Sequence, residues 1–131
     1  MALVVLDASV LIAYLDPDDA HHRRAWDAVV ERLDDALILP MSAYAEVLVG
    51  PVRRGAKALR HVEGMIDEAA LRLEPIGRTI AREAARLRAQ HGWLPLPHAL
   101  VLATGTSLAA DEILTADRAW ARVSRIVVAI G

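Results

Sequence analysis

The sequence predicts an α/β fold, a three-layer α/β/α sandwich with a mainly parallel central sheet, and three observations carry that prediction. Short apolar runs of strand length alternate with helical patterns along the whole chain. Leu3 to Leu6, Leu37 to Leu39 and Ile113-Leu114 are apolar throughout, as buried strands are, and helical segments fall where parallel strands need crossovers. At 131 residues and 55% hydrophobic content, the chain has the size and the apolar surface for one core, so residues 1–131 are expected to form a single domain.

The first run, Leu3 to Leu6, reads as a strand, and a helix is expected to start near Ser9. Asp19 to Leu33 reads as a helix with Ala25, Val29, Val30 and Leu33 on its apolar side. Leu37 to Leu39 is the second strand, and Ser42 to Leu48 begins the next helix. Gly50-Pro51 and Gly55 punctuate the chain beyond it. Leu71 to Ile76 is the third strand. Ile80, Ala84 and Leu87 then recur at helical spacing, and Pro95-Leu96-Pro97 leads into an apolar helix that starts near His98. Ile113-Leu114 and Arg125 to Ile130 complete the strands. Trp26, Trp93 and Trp120 read as packing anchors. No internal repeat, low-complexity tract or linker interrupts the pattern.

Composition excludes several chemistries. The chain has no cysteine, which rules out a disulfide framework, a thiolate zinc site and a cysteine nucleophile, and is compatible with a reducing cytoplasm. Fifteen basic residues against seventeen acidic ones give a formal charge of −2, so a polyanion must be met by a local patch. The apolar start, Ala2 to Leu15, lacks a basic leader and is interrupted by Asp7. A soluble cytoplasmic protein without a membrane role is the expectation.

In open α/β sheets the functional crevice lies beyond the carboxyl ends of the strands. Asp7 directly follows the first strand, and Asp117 comes just after Ile113-Leu114-Thr115, with Ala116 between. Either could cap the helix after it, but two carboxylates emerging from two strand ends suggest a shared site. Glu46 is an acid in an otherwise apolar helix; with Ala43, Val47 and Gly50 on its general face it is expected to point inward rather than to solvent. Carboxylates converging without basic partners raise one another's pKa, and a hard divalent cation relieves that cost.

These segments resemble the motifs of PIN-domain toxins of the VapC type. The likeness is carried by Leu6-Asp7-Ala8-Ser9, by Ser42-Ala43-Tyr44-Ala45-Glu46-Val47, by Pro97-His98-Ala99-Leu100-Val101-Leu102-Ala103, and by Thr115-Ala116-Asp117-Arg118-Ala119-Trp120, in that order. The resemblance implies a PIN-like fold and a toxin of a type II toxin-antitoxin system, homodimeric and paired with a VapB-like antitoxin. It implies an endoribonuclease dependent on Mg²⁺ or Mn²⁺ and acting on RNA, with tRNA among the candidates. Asp7, Glu46 and Asp117 fall on the family's acidic metal-binding and catalytic positions, and Ser9 and Thr115 on the hydroxyls that assist them. His98 stands where the family pattern has a third aspartate. An imidazole there can still ligate a transition metal, or when cationic replace the metal's charge and leave a PIN-fold protein that binds RNA or sequesters antitoxin without cutting.

For the grip on RNA, Arg78, Arg82 and Arg86 form one stripe at four-residue spacing, and Arg53, Arg54 and Arg60 form a second group, although an ordinary solvated face is the commoner explanation of either. Tyr14 could stack on a base or belong to the core. Two rival readings fit poorly. A response-regulator receiver needs a lysine after a late strand, and the single lysine is Lys57. A phosphatase with an aspartate nucleophile would carry Asp-x-Asp where this chain has Asp7-Ala8-Ser9.

Overall fold

A computed structural model describes residues 1–131. The strands are β1 (Leu3–Leu6), β2 (Ala36–Pro40), β3 (Arg72–Glu74), β4 (Glu112–Thr115) and β5 (Val127–Ala129). The helices are α1 (Ala8–Leu15), α2 (His22–Val30), α3 (Met41–Arg54), α4 (Ala56–Glu68), α5 (Arg78–Gln90) and α6 (Leu96–Ser107), with a short 3-10 turn at Arg118–Arg122. The sheet order is β3-β2-β1-β4-β5 and every pairing is parallel. In β1, Val4, Val5 and Leu6 are all fully buried, as are Ile38 and Leu39 in β2. Successive side chains of a strand point to opposite faces, so consecutive buried residues require helices on both sides of the sheet. One cluster of 30 buried apolar residues forms the core. No helix is long and apolar enough to cross a membrane.

The sheet order places a topological switch between β1 and β4. From β1 the chain winds outward through β2 to β3, then returns to lay β4 and β5 on the other side of β1. Crossovers leaving β1 and β4 therefore depart to opposite faces and open a crevice at their carboxyl ends, where Asp7 and Asp117 lie. Gly105 lets α6 settle onto β4: a β-carbon there would stand 2.4 Å from Ile113 Cδ1. Even a methyl group at that position requires the Ile113 side chain to shift.

Several expectations about local structure are corrected. Helix α3 runs through Gly50-Pro51 and stops only at Gly55, whose φ of 113° is the left-handed conformation that glycine adopts without strain. Pro51 costs the helix one hydrogen bond, but its ring is buried. Helix α4 is an element that the sequence pattern does not announce. Helix α2 starts at His22 rather than Asp19, because Asp16 and Asp19 accept hydrogen bonds from the backbone N–H two residues on, at Asp18 (2.9 Å) and His21 (2.8 Å), and so fold local turns. Its buried face is Ala25, Ala28 and Val29; Val30 and Leu33 are exposed. Of the tryptophans only Trp120 is a buried anchor, whereas Trp26 and Trp93 are both partly exposed. Tyr14 is half-buried and stacks on Trp26, with ring centroids 4.9 Å apart.

Candidate active site

Asp7 is one of three buried polar residues and the only buried ionisable one, at 7% exposure. Its backbone N–H donates to the Leu114 carbonyl at 2.9 Å, which ties the end of β1 to β4. It occupies the cap position of α1, but its side chain makes no cap hydrogen bond. Its Oδ2 instead accepts from Ser9 Oγ at 2.6 Å and from Thr115 Oγ1 at 3.0 Å. Each hydroxyl is itself held: Ser9 Oγ accepts from the Ala116 N–H and Thr115 Oγ1 from the Asp117 N–H, both at 3.1 Å. The two hydroxyls thus pin one carboxylate oxygen and leave Oδ1 without a donor from the protein. The capping reading of Asp7 is set aside by this geometry.

For Asp117 the capping reading holds in part. Its Oδ1 accepts from the Ala119 N–H at 2.9 Å and starts the 3-10 turn, while the other oxygen carries no hydrogen bond. His98 sits in the first turn of α6 behind Pro97, half-buried, its ring 5.2 Å from that of Trp120. Asp7, Ser9, His98 and Asp117 line one open cleft of about 550 Å³ together with His21, Ala116, Arg118 and Gly131.

Glu46 lies elsewhere. It does not point into the core; it is exposed and lines a neighbouring cavity of about 280 Å³ with Ile12, Asp16, Val47, Arg54 and His61 among its walls. Its inward-facing neighbours on α3 are Ala43 and Val47. Although exposed as a residue, Glu46 has a carboxyl pushed above the ordinary glutamate range, by partial burial first and then by the charge of Asp7, while His98 pulls it the other way. Glu46 is therefore within electrostatic reach of the cleft without lining it.

No three of the carboxylate and histidine side chains close around a common point. A small hard cation such as Mg²⁺ does not require that: it keeps several waters and takes one or two carboxylates plus substrate oxygens. Asp7 and Asp117 each keep one oxygen without a protein donor, and with His98 in the lining of the same cleft they are the donors available to such an ion. The cleft has the chemistry to hold a metal between a protein floor and an anionic ligand.

The arginines divide. Arg54 lines the Glu46 cavity, and Arg53 is exposed. Arg78, Arg82 and Arg86 form an exposed stripe on α5 outside both cavities, and Arg86 is bound to Glu83 and Gln90, which holds the Glu83 carboxyl below its usual range. His21 and Arg118 are site residues that the sequence reading missed. Arg118 had a signal, since it follows Asp117 directly; His21, carried by the turn before α2, had none in sequence.

The family model described as PIN domain matches residues 4–126. Among solved structures, the chain is similar to a toxin-antitoxin complex from Klebsiella pneumoniae, with a TM-score of 0.81, 22% identity, and 98% of each chain covered. It is similar to FitAcB from Neisseria gonorrhoeae, with a TM-score of 0.75, 19% identity, and 97% of this chain and 96% of that one covered. It is also similar to VapC20 of Mycobacterium tuberculosis, a sarcin-ricin loop cleaving toxin, with a TM-score of 0.71, 15% identity, and 84% and 86% covered. No curated protein sequence matches. At these identities the structural likenesses establish the fold.

Proposed function

The chain belongs to the PIN domain family, and from that premise we propose that it is a VapC-type toxin that hydrolyses RNA phosphodiester bonds with the help of a divalent metal. One observation carries this reading: a buried aspartate at the switch point of the sheet is pinned through one oxygen by two hydroxyls, its other oxygen has no protein donor, and the residue lines a cleft together with Asp117. A buried carboxylate without a cationic partner is costly to keep, and a metal site is the function that rewards it.

Asp7 and Asp117 would hold Mg²⁺ or Mn²⁺, with His98 as an additional ligand. Such an ion, when bound, polarises phosphoryl oxygens and lowers the pKa of water. Ser9 and Thr115 fix the rotamer of Asp7. Glu46, whose carboxyl already binds protons more tightly than usual, is suited to orient the attacking water and accept its proton. Arg53, Arg54 and the exposed stripe of Arg78, Arg82 and Arg86 are assigned to phosphates away from the cut, where their effect is salt-dependent. A VapB-like antitoxin as partner is supported by the toxin-antitoxin complexes among the similar structures. A homodimer is supported by helix α3, which leaves Met41, Val49 and Val52 exposed. A cytoplasmic location goes with RNA as the substrate.

A second reading is favoured by His98: its ring packs on Trp120, and no third carboxylate faces the cleft. On that reading the fold binds RNA or antitoxin without cutting. Cleavage of pooled tRNA and structured RNA in Mg²⁺, Mn²⁺ or EDTA, beside Asp7→Asn and His98→Asp, separates the two. Metal-dependent cleavage lost in Asp7→Asn supports the nuclease; cleavage appearing only in His98→Asp supports the binder.

A further inference from the structure

The cleft that holds Asp7 and Asp117 is not purely acidic, because His21 and Arg118 also line it. Arg118 is the first residue of the 3-10 turn and is exposed. Its Nε donates to the carbonyl oxygen of Gly131 at 2.7 Å, and neither Nη has an acceptor within the fold. The ion pairs of the protein join Arg23 to Asp27, Arg32 to Glu31 and Glu112, Arg72 to Glu74, and Arg86 to Glu83. No Asp or Glu side chain pairs with Arg118, although Asp117 precedes it in the chain.

A guanidinium tethered through Nε is oriented in advance, and its two free Nη groups match the spacing of two oxygens on one phosphate. A cleft built only for a cation has no use for an arginine with two free Nη groups in its wall, since the positive charge weakens cation binding. A cleft that must hold a cation and a phosphate side by side needs both signs. We propose that Arg118, with His21 as a second donor, clamps the non-bridging oxygens of an RNA phosphodiester and positions the backbone against Asp7 and Asp117. The proposal rests on the reading of the cleft as a ribonuclease site and adds the residues that grip its substrate; the arginines singled out by spacing on α5 and at the end of α3 do not line the cleft.

The test is binding of a single-stranded RNA by the full chain in EDTA, across a salt series, for the wild type, Arg118→Gln, Arg118→Lys and His21→Gln, with a thermal melt of each. Arg118→Gln is expected to weaken binding about tenfold and to lower the slope of log affinity against log salt by about 0.7, the signature of one lost phosphate contact. Arg118→Lys should recover the slope, since the charge returns, while kcat/KM with metal stays reduced because the fork does not. Unfolding alone would not change the slope of the folded fraction. An unchanged slope and affinity in both Arg118 variants would overturn the clamp and leave the ribonuclease reading intact; no RNA binding by the wild type would overturn both.

Discussion

Thr115→Val tests whether the acidic cleft is held by its hydroxyls. Thr115 is fully buried, and its Oγ1 joins two groups, donating to Asp7 Oδ2 at 3.0 Å and accepting from the Asp117 N–H at 3.1 Å. Valine has nearly the same shape and removes both bonds. A hydrogen bond to a charged group contributes about 1.5–3 kcal/mol. The lower end applies at Asp7, because Ser9 Oγ stays 2.6 Å from the same oxygen. The orphaned Asp117 amide adds about 1 kcal/mol, since it is only partly buried and water can reach it. The expected loss is about 2–3 kcal/mol. For 131 residues the unfolding entropy is about 0.28 kcal/mol per kelvin, so the midpoint should fall by roughly 7–11 °C. Thr115→Ser keeps both bonds and loses a methyl group, for a cost of about 1 kcal/mol. Urea denaturation followed by tryptophan fluorescence measures both variants in the absence of metal. A loss under about 0.5 kcal/mol in Thr115→Val, or an equal loss in Thr115→Ser, would refute the argument that the hydroxyl is the structural element.

Two further outcomes are expected from the geometry. The Glu46 carboxyl is raised above its ordinary value of 4.5, so the stability it allows is fully present below that pH and declines as pH rises through the higher folded value. Metal-free Glu46→Gln should therefore melt above the wild type at neutral pH and lose that advantage toward about pH 4; a difference that does not vary with pH would count against the assigned cause. Gly105→Ala places a β-carbon 2.4 Å from Ile113 Cδ1 and 2.6 Å from its Cγ1, inside the core. Overpacking of about 1–3 kcal/mol exceeds the roughly 0.5–1 kcal/mol of helix propensity gained, and Ile113→Val in the same chain should recover part of the loss. Strict additivity of the two substitutions in denaturant titrations would show that the contact is not the cause.

The fold and two of the acids were legible in the chain for the same physical reason. A fully buried strand is an uninterrupted apolar run, so a charge placed directly after one marks the strand's carboxyl end; this located Asp7 and Asp117. The alternation of runs and helical periods, together with the motif order, then gave the parallel sandwich and the PIN resemblance. Local chemistry was legible where it acts within a few residues. It failed where a neighbour outweighs propensity, as at Pro51, whose ring is buried inside a helix that continues past it.

Which side chains meet is decided by topology. The strand order brings the ends of β1 and β4 together across 108 residues of sequence, so that Thr115 can hold Asp7. The same geometry turns Glu46 toward a neighbouring cavity, brings His21 into the cleft by way of the turn before α2, and leaves the α5 arginines outside it. Sequence by itself determined which residues carry charge beside apolar strands, because burial leaves a local pattern. Only the tertiary structure decided which of those charges share a cleft and which arginine lines it, because contacts between distant segments depend on the crossovers that join them.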